Sequence, residues 1–245
     1  PTLKLSNKTG RRVFLMAGEQ LIGSKQNRVL NTSLLVEVDA EIPIPVSCVE
    51  RGRWSYRSEK FTSHGTASPG ELRKMMSRDV TRFYLTEAAP ASDQGAVWAK
   101  VAQVSACLGT RSDSGAMEQI YEDHGPTLEE KAQKLKCPEG CNGVVFVRKG
   151  QVVGADMFDQ PETLRKLWTK LLRAQLLDIL AESDTTAAIP EPTVVRQWLE
   201  SAAKSEAKAY QSPALGEDVR LKGEHVAGAG LVVEEQPVHV QVFAE

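Results

Sequence analysis

The chain has 245 residues, 41% of them hydrophobic and 25% charged, with a net charge of −2, a balance found in folded globular proteins that excludes a disordered chain. No run approaches the roughly 18 apolar residues of a bilayer-crossing helix, so no membrane partner is expected. The near-neutral charge excludes a dedicated nucleic-acid binder, which gathers Lys and Arg to meet phosphates.

The start, Pro1 to Gly10, is polar and lacks the apolar run of a secretion signal. Because Pro1 stands almost at the first expected strand, further residues are expected ahead of it. Short β-prone runs, Leu3-Lys4-Leu5 and Val13-Phe14-Leu15, are punctuated by Gly10, Gly18 and Gly23, a hairpin pattern. Alternation then predicts one strand over Leu30–Val38 and another over Ile42–Glu50, paired about Ala40 with Val38 opposite Ile42, Leu34 opposite Val46 and Leu30 opposite Glu50. Both apolar sets then share one face. Pro43 and Pro45 withhold backbone donors, which places part of the second strand at a sheet edge.

The middle of the chain reads as helical. Ser68-Pro69-Gly70 opens a short helix ending near Ser77. Ser92 or Asp93 caps a second, in which Val97, Val101, Val104 and Leu108 recur before Gly109. Thr127 with Glu130 forms a capping box for a third, running to about Lys136. A hairpin follows over Val144–Val147 and Gln151–Val153, turning at Lys149-Gly150. Pro161 then starts the strongest helix, whose stripe includes Leu164, Trp168, Leu171 and Leu172. Ser183–Pro192 is read as a loop, Pro192 to about Lys204 as a further helix, and Gly230–Val233 with Val238–Phe243 as closing strands. The expected fold is a single α+β domain over 1–245, with a largely antiparallel sheet from N- and C-terminal hairpins packed on central helices. Its parts are a β-rich stretch 1–66, a helical middle 67–136, a hairpin with helices 137–210, and strands 217–244.

The first 82 residues hold 14 Lys and Arg against 8 Asp and Glu, and the remainder 16 against 24. The basic third also carries the densest polar cluster: Lys25, Gln26, Asn27, Arg28 and Asn31, then Cys48, Glu50, Arg53 and Trp54. In the register above, Cys48, Glu50 and Arg28 share the open end of the hairpin. Arg28 and Arg53 there suit an anion, Glu50 a base, and Cys48 a nucleophile. The other readings are that Cys48 is a small buried hydrophobe, Glu50 the partner of an arginine and Trp54 a core residue. Asn31 faces away from Cys48.

The four cysteines, Cys48, Cys107, Cys137 and Cys141, are too few and too unevenly spaced for a disulfide framework, which points to a reducing, cytoplasmic setting. Cys137 and Cys141 lack a second ligand pair at zinc spacing, so no metal is expected, and no cofactor either: phosphate-loop and nucleophile-elbow patterns are absent.

Gly18-Glu19-Gln20-Leu21-Ile22-Gly23-Ser24-Lys25-Gln26-Asn27-Arg28, Asn31-Thr32-Ser33, Ile44-Pro45-Val46-Ser47-Cys48-Val49-Glu50 and Gly52-Arg53-Trp54 together resemble the ARPP-type domain. That family is named for its association with ADP-ribosylglycohydrolase-like, rhodanese and phosphatase proteins. Gly150 to Asp156, Phe158 and the Trp168 helix are similar to it as well. The resemblance implies a domain linked to nucleotide or ADP-ribose metabolism, with no established catalytic set. The expected function is binding of a small anionic ligand. The alternatives are a hydrolase or transferase using Cys48 or Glu50, and a protein-interaction module built on an edge strand; self-association stays open.

Overall fold

The computed structural model describes residues 2–86, 89–182 and 188–245. Seven strands come first: β1 (Thr2–Ser6), β2 (Val13–Leu15), β3 (Glu19–Gly23), β4 (Arg28–Leu30), β5 (Leu34–Val36), β6 (Glu41–Cys48) and β7 (Phe61–Ala67). Helices α1 (Gly70–Thr86), α2 (Gln94–Leu108) and α3 (Met117–Gln133) follow, then hairpin β8 (Gly143–Arg148) and β9 (Gln151–Phe158). The chain closes with α4 (Pro161–Leu180), α5 (Pro192–Ala203), β10 (Glu206–Gln211), β11 (Glu217–Lys222), β12 (Val226–Val233) and β13 (Gln236–Ala244). The fold is α+β, with antiparallel sheets ordered β1-β6-β4-β3-β7 and β10-β11-β12-β13-β9-β8 and a separate β2-β5 ribbon. No helix among the described residues is long and apolar enough to cross a membrane.

Local chemistry explains several boundaries. Asp93 Oδ1 accepts from Ala96 N at the start of α2, and Gly109 closes that helix at φ 70°, where a side chain would be strained. Pro161 occupies the first turn of α4, where its missing donor has no helical partner to lose. Lys149 and Gly150, both at positive φ, make the tight β8–β9 turn.

The expected Leu30–Val38 strand does not run through. It breaks at Asn31–Ser33: β4 pairs with β6, Arg28 opposite Cys48 and Leu30 opposite Val46, whereas β5 pairs with β2. The register differs from the expected one by four residues. An even shift preserves the face, so Arg28 and Cys48 still share a side. Over Glu41–Pro45, β6 borders β1, so both prolines sit outside the β4 ladder. Three further expectations are corrected. α1 continues to Thr86, because Arg73, Ser77, Thr81 and Tyr84 bond the C-terminal sheet instead of forming an apolar stripe. α3 begins at Met117 and carries Pro126 inside it, so the Thr127–Glu130 box lies within the helix. The stretch 137–210 ends inside strand β10, holding Glu206–Tyr210 of it. Of the expected Ser183–Pro192 loop, residues 183–187 lie outside the described residues.

The Asn31–Ser33 break ties the two sheets together. Thr32 donates to Asp218 (2.6 Å), which also accepts from Tyr84 (3.1 Å) and Arg220 (3.0 Å). Ser33 Oγ lies 2.8 Å from His239 Nδ1, and His239 Nε2 lies 3.0 Å from Asp156 Oδ1. Arg73 grips Asp156 with two nitrogens, at 2.9 and 2.6 Å. A serine, histidine and aspartate in line would suggest hydrolytic chemistry, but this chain is sealed. All three are buried, Ser33 Oγ already accepts from Ala17 N (2.9 Å), and the adjoining void has no room for a water. Burial holds the His239 imidazole below its ordinary pKa despite the Asp156 charge, so it sits neutral as a hydrogen-bonded strut.

Asp178 of α4 accepts from Glu71 N (3.2 Å) at the first turn of α1 and is buried. Burial raises its carboxyl from 3.8 to about 7, against the charge of Arg148 and the backbone donors, which pull it down. The folded state therefore holds a proton that the unfolded chain releases, so stability falls as pH climbs from about 4 to about 7 and is level above. Asp178→Asn keeps an acceptor without the buried charge. Relative to the parent, its unfolding free energy should gain on the order of 4 kcal/mol across that window, measured by urea titration at stepped pH; parallel curves would refute the assignment.

Candidate functional site

The β4–β6 pairing puts Arg28 directly across from Cys48. Arg28 Nη1 donates to the Cys48 sulfur and to Gln26 Oε1 (3.2 Å), and the thiol donates to the same Gln26 oxygen (3.0 Å). Cys48 is 4% exposed. Its backbone is clamped by Gln94 of α2, which accepts from Cys48 N (2.8 Å) and donates to Cys48 O (2.7 Å). Sequence reasoning missed Gln94. Its only signal is a polar side chain next to the Asp93 cap, at a point where the helix meets the end of a strand.

Glu50 follows the strand and bridges to Ala116; the Cys48 thiol donates to the Glu50 backbone carbonyl (3.3 Å), while the Glu50 carboxylate bonds other groups. Oε1 accepts from Arg53 Nε (2.9 Å) and Ser114 Oγ (2.8 Å), while Oε2 accepts from Asn27 N (3.0 Å) and Arg53 Nη2 (2.7 Å). Burial favours the protonated acid, but the hydrogen bonds from Arg53, Ser114 and Asn27 outweigh it and hold Glu50 below the usual carboxylate range. A carboxylate so stabilised is a weak proton acceptor.

Arg53 is equally occupied. Its remaining N–H groups reach Ser24 O (2.6 Å), Ser55 O (2.9 Å) and Asn27 Oδ1 (3.2 Å). Asn27, fully buried, donates to Glu118 (2.8 Å), which pairs with Arg57 (2.5 Å). Asn31 sits elsewhere, accepting from Ser47 (2.8 Å) and donating to Pro90 O (3.0 Å). Much of the polar cluster therefore fastens the loop after β6 to the body of the protein.

The loop presents a different set of groups outward. Trp54 and Tyr56 are 69% and 70% exposed, so the reading of Trp54 as core does not apply, and Lys25 Nζ stands 5.0 Å over the Tyr56 ring. Arg51 is exposed too, with its guanidinium 5.6 Å over Trp98 of α2. Arg51 and Trp98, with Ala99 and Ala102 of α2 and Ser112 and Gly115 of the following loop, line a cleft of about 590 Å³. Gly52 allows this shape: its N–H donates to Ser114 O (2.7 Å), and a Cβ there would sit 3.0 Å from Ser114 Cα. Neither Cys48 nor Arg28 lines the cleft. Arg51 and Trp98 were also missed, because they come from segments 47 residues apart that the β6 end and the Gln94 clamp bring together.

The family described as the ARG and Rhodanese-Phosphatase-superfamily-associated Protein domain matches residues 1–243. No curated protein and no solved structure matches the chain.

Proposed function

The chain belongs to the ARG and Rhodanese-Phosphatase-superfamily-associated Protein domain family, and from that premise we propose that it binds a small anionic ligand bearing a planar ring, of the nucleotide or ADP-ribose kind, in the cleft between Arg51 and Trp98. The observation that carries this reading is the state of Arg51. Arg53 and Arg57 are matched by buried carboxylates, whereas Arg51 makes no ion pair among the described residues and stands over an indole at the mouth of a concave site. A guanidinium above an aromatic face offers a flat ligand both a stacking surface and a bidentate donor for phosphate or carboxylate. The cleft also has a volume typical of small-molecule sites.

Within this reading Gln26, Asn27, Glu50 and Arg53 hold the loop that carries Arg51. Calorimetry with ADP-ribose, NAD and sugar phosphates should give heat for at least one of them. Arg51→Ala should weaken that ligand at least about tenfold without lowering the melting temperature, since the side chain is exposed. Absence of heat across the panel would end the reading.

The contact of Arg28 with the Cys48 sulfur favours a second reading, in which Cys48 is a nucleophile. Burial sets the two readings apart. A thiol-directed probe should modify the exposed Cys107 and Cys141 well before Cys48, by about tenfold or more in rate. If Cys48 reacts first at neutral pH, the nucleophile reading prevails.

A further inference from the structure

The outer face of the C-terminal sheet carries a second cavity, of about 630 Å³, roofed by α5. We infer that it is a binding site for an uncharged, hydrocarbon-rich small molecule, distinct from the cleft at Arg51.

The shape of the cavity follows from its residues. Small side chains, Ala202 and Ala203 on α5 and Ala207 on β10, leave a depression that larger ones would fill, while Leu221, Val240 and Val242 form an apolar floor. Helix α5 carries apolar residues at helical spacing, yet Ala202 is its one buried residue, and Trp198 supplies its main partly buried contact with the sheet. Two large side chains that remain exposed, Met157 at 50% and Leu199 at 40%, face the same cavity from opposite walls. Such apolar surface is unfavourable in water and is covered by an apolar occupant at roughly 25 cal/mol per Å².

The charges decide the class of occupant. Among the described residues Asp156 is the one carboxylate on the lining, and it points through the sheet to Arg73 and His239 on the inner face, as strand alternation requires with Ala155 and Met157 outward. No Lys, Arg or His among the described residues lines the cavity, so a buried carboxylate or phosphate would go unpaired at a large desolvation cost. A roofed hollow in the size range of ligand pockets suits a small molecule better than the flat face of a second protein.

The test uses the neutral fluorophore N-phenyl-1-naphthylamine with the full chain. Saturable binding at one site is expected, displaced by dodecanol and not by dodecanoate. Leu199→Glu, which puts a charge at the mouth, and Ala203→Trp, which fills the hollow, should each weaken the probe at least about tenfold with circular dichroism and melting unchanged, because both positions are surface positions on α5. Arg51→Ala should bind the probe as the parent does, which separates failure here from failure of the cleft. The inference is overturned by non-saturable uptake, by unchanged affinity in both α5 variants, or by equal displacement with dodecanoate. Concentration-dependent dimerisation abolished by Leu199→Glu would also overturn it, by showing that a second copy covers the cavity.

Discussion

Replacing Arg73 with alanine should destabilise the protein by about 3–5 kcal/mol. Arg73 is 2% exposed, grips both oxygens of Asp156 and donates to Gln241 (2.8 Å). Without it Asp156 keeps only the neutral His239, a buried carboxylate with no counter-charge. Burial works against the ionised Asp156, but the Arg73 charge and hydrogen bonds, helped by those from His239, hold its carboxyl far below the ordinary range. The stability this supplies is in place above the unfolded value near 3.8 and is lost only in strong acid.

In Arg73→Ala the sign reverses. The carboxyl is pushed up, so the variant should regain stability as pH falls toward about 4. Adding Asp156→Asn should recover part of the loss, giving a non-additive double-mutant cycle in urea unfolding. Because this network joins both sheets to α1, we expect one cooperative transition for the whole chain. A loss below about 1 kcal/mol, or two separate transitions, would contradict this account of the core.

The second large effect is expected at Glu50. Glu50→Ala removes the acceptor of four hydrogen bonds and leaves the Arg53 charge with neutral partners, a loss of about 3 kcal/mol or more. The damage should centre on the loop after β6. Chymotrypsin should cut at Trp54 or Tyr56 much faster in the variant than in the parent, and Glu50→Gln should fall between, keeping the shape while weakening the grip on Arg53. If Glu50 served as a free base, its removal would leave stability within about 0.5 kcal/mol and would abolish only a reaction. Stability and proteolysis together distinguish these outcomes.

The parts of this fold legible in the sequence are those where local chemistry and burial agree. The stripe of α4 behind Pro161, the Asp93 and Gly109 caps of α2, and the Lys149-Gly150 turn each have a residue whose physics admits one conformation. Reading failed where polar residues take core positions. Thr32 and Ser33 look like ordinary members of an alternating strand, yet they leave it to meet Asp218 and His239, some 200 residues away in sequence. Arg73, Ser77 and Tyr84 hid the second half of α1 in the same way, Pro126 disguised the middle of α3, and the exposed residues of β10 gave no inward face to detect.

The candidate site was half visible for a related reason. Composition located the polar cluster, and Arg28 and Cys48 stayed together because the register error was even. The roles within the cluster were set by Gln94, Ser114 and Glu118, donors and acceptors from distant segments that occupy Cys48, Glu50 and Asn27. Arg51, the neighbour of Glu50 in sequence, makes no ion pair among the described residues and lines a cleft.

The indole N–H signals of the four tryptophans in ¹⁵N-labelled protein, followed while the tightest ligand of the anion panel is titrated, address that assignment most directly. Movement of the Trp98 signal, saturating with the calorimetric curve and absent in Arg51→Ala, is the predicted result, with Trp168 and Trp198 unmoved. A Trp98 signal that stays fixed while the ligand binds would place the site elsewhere and contradict the account.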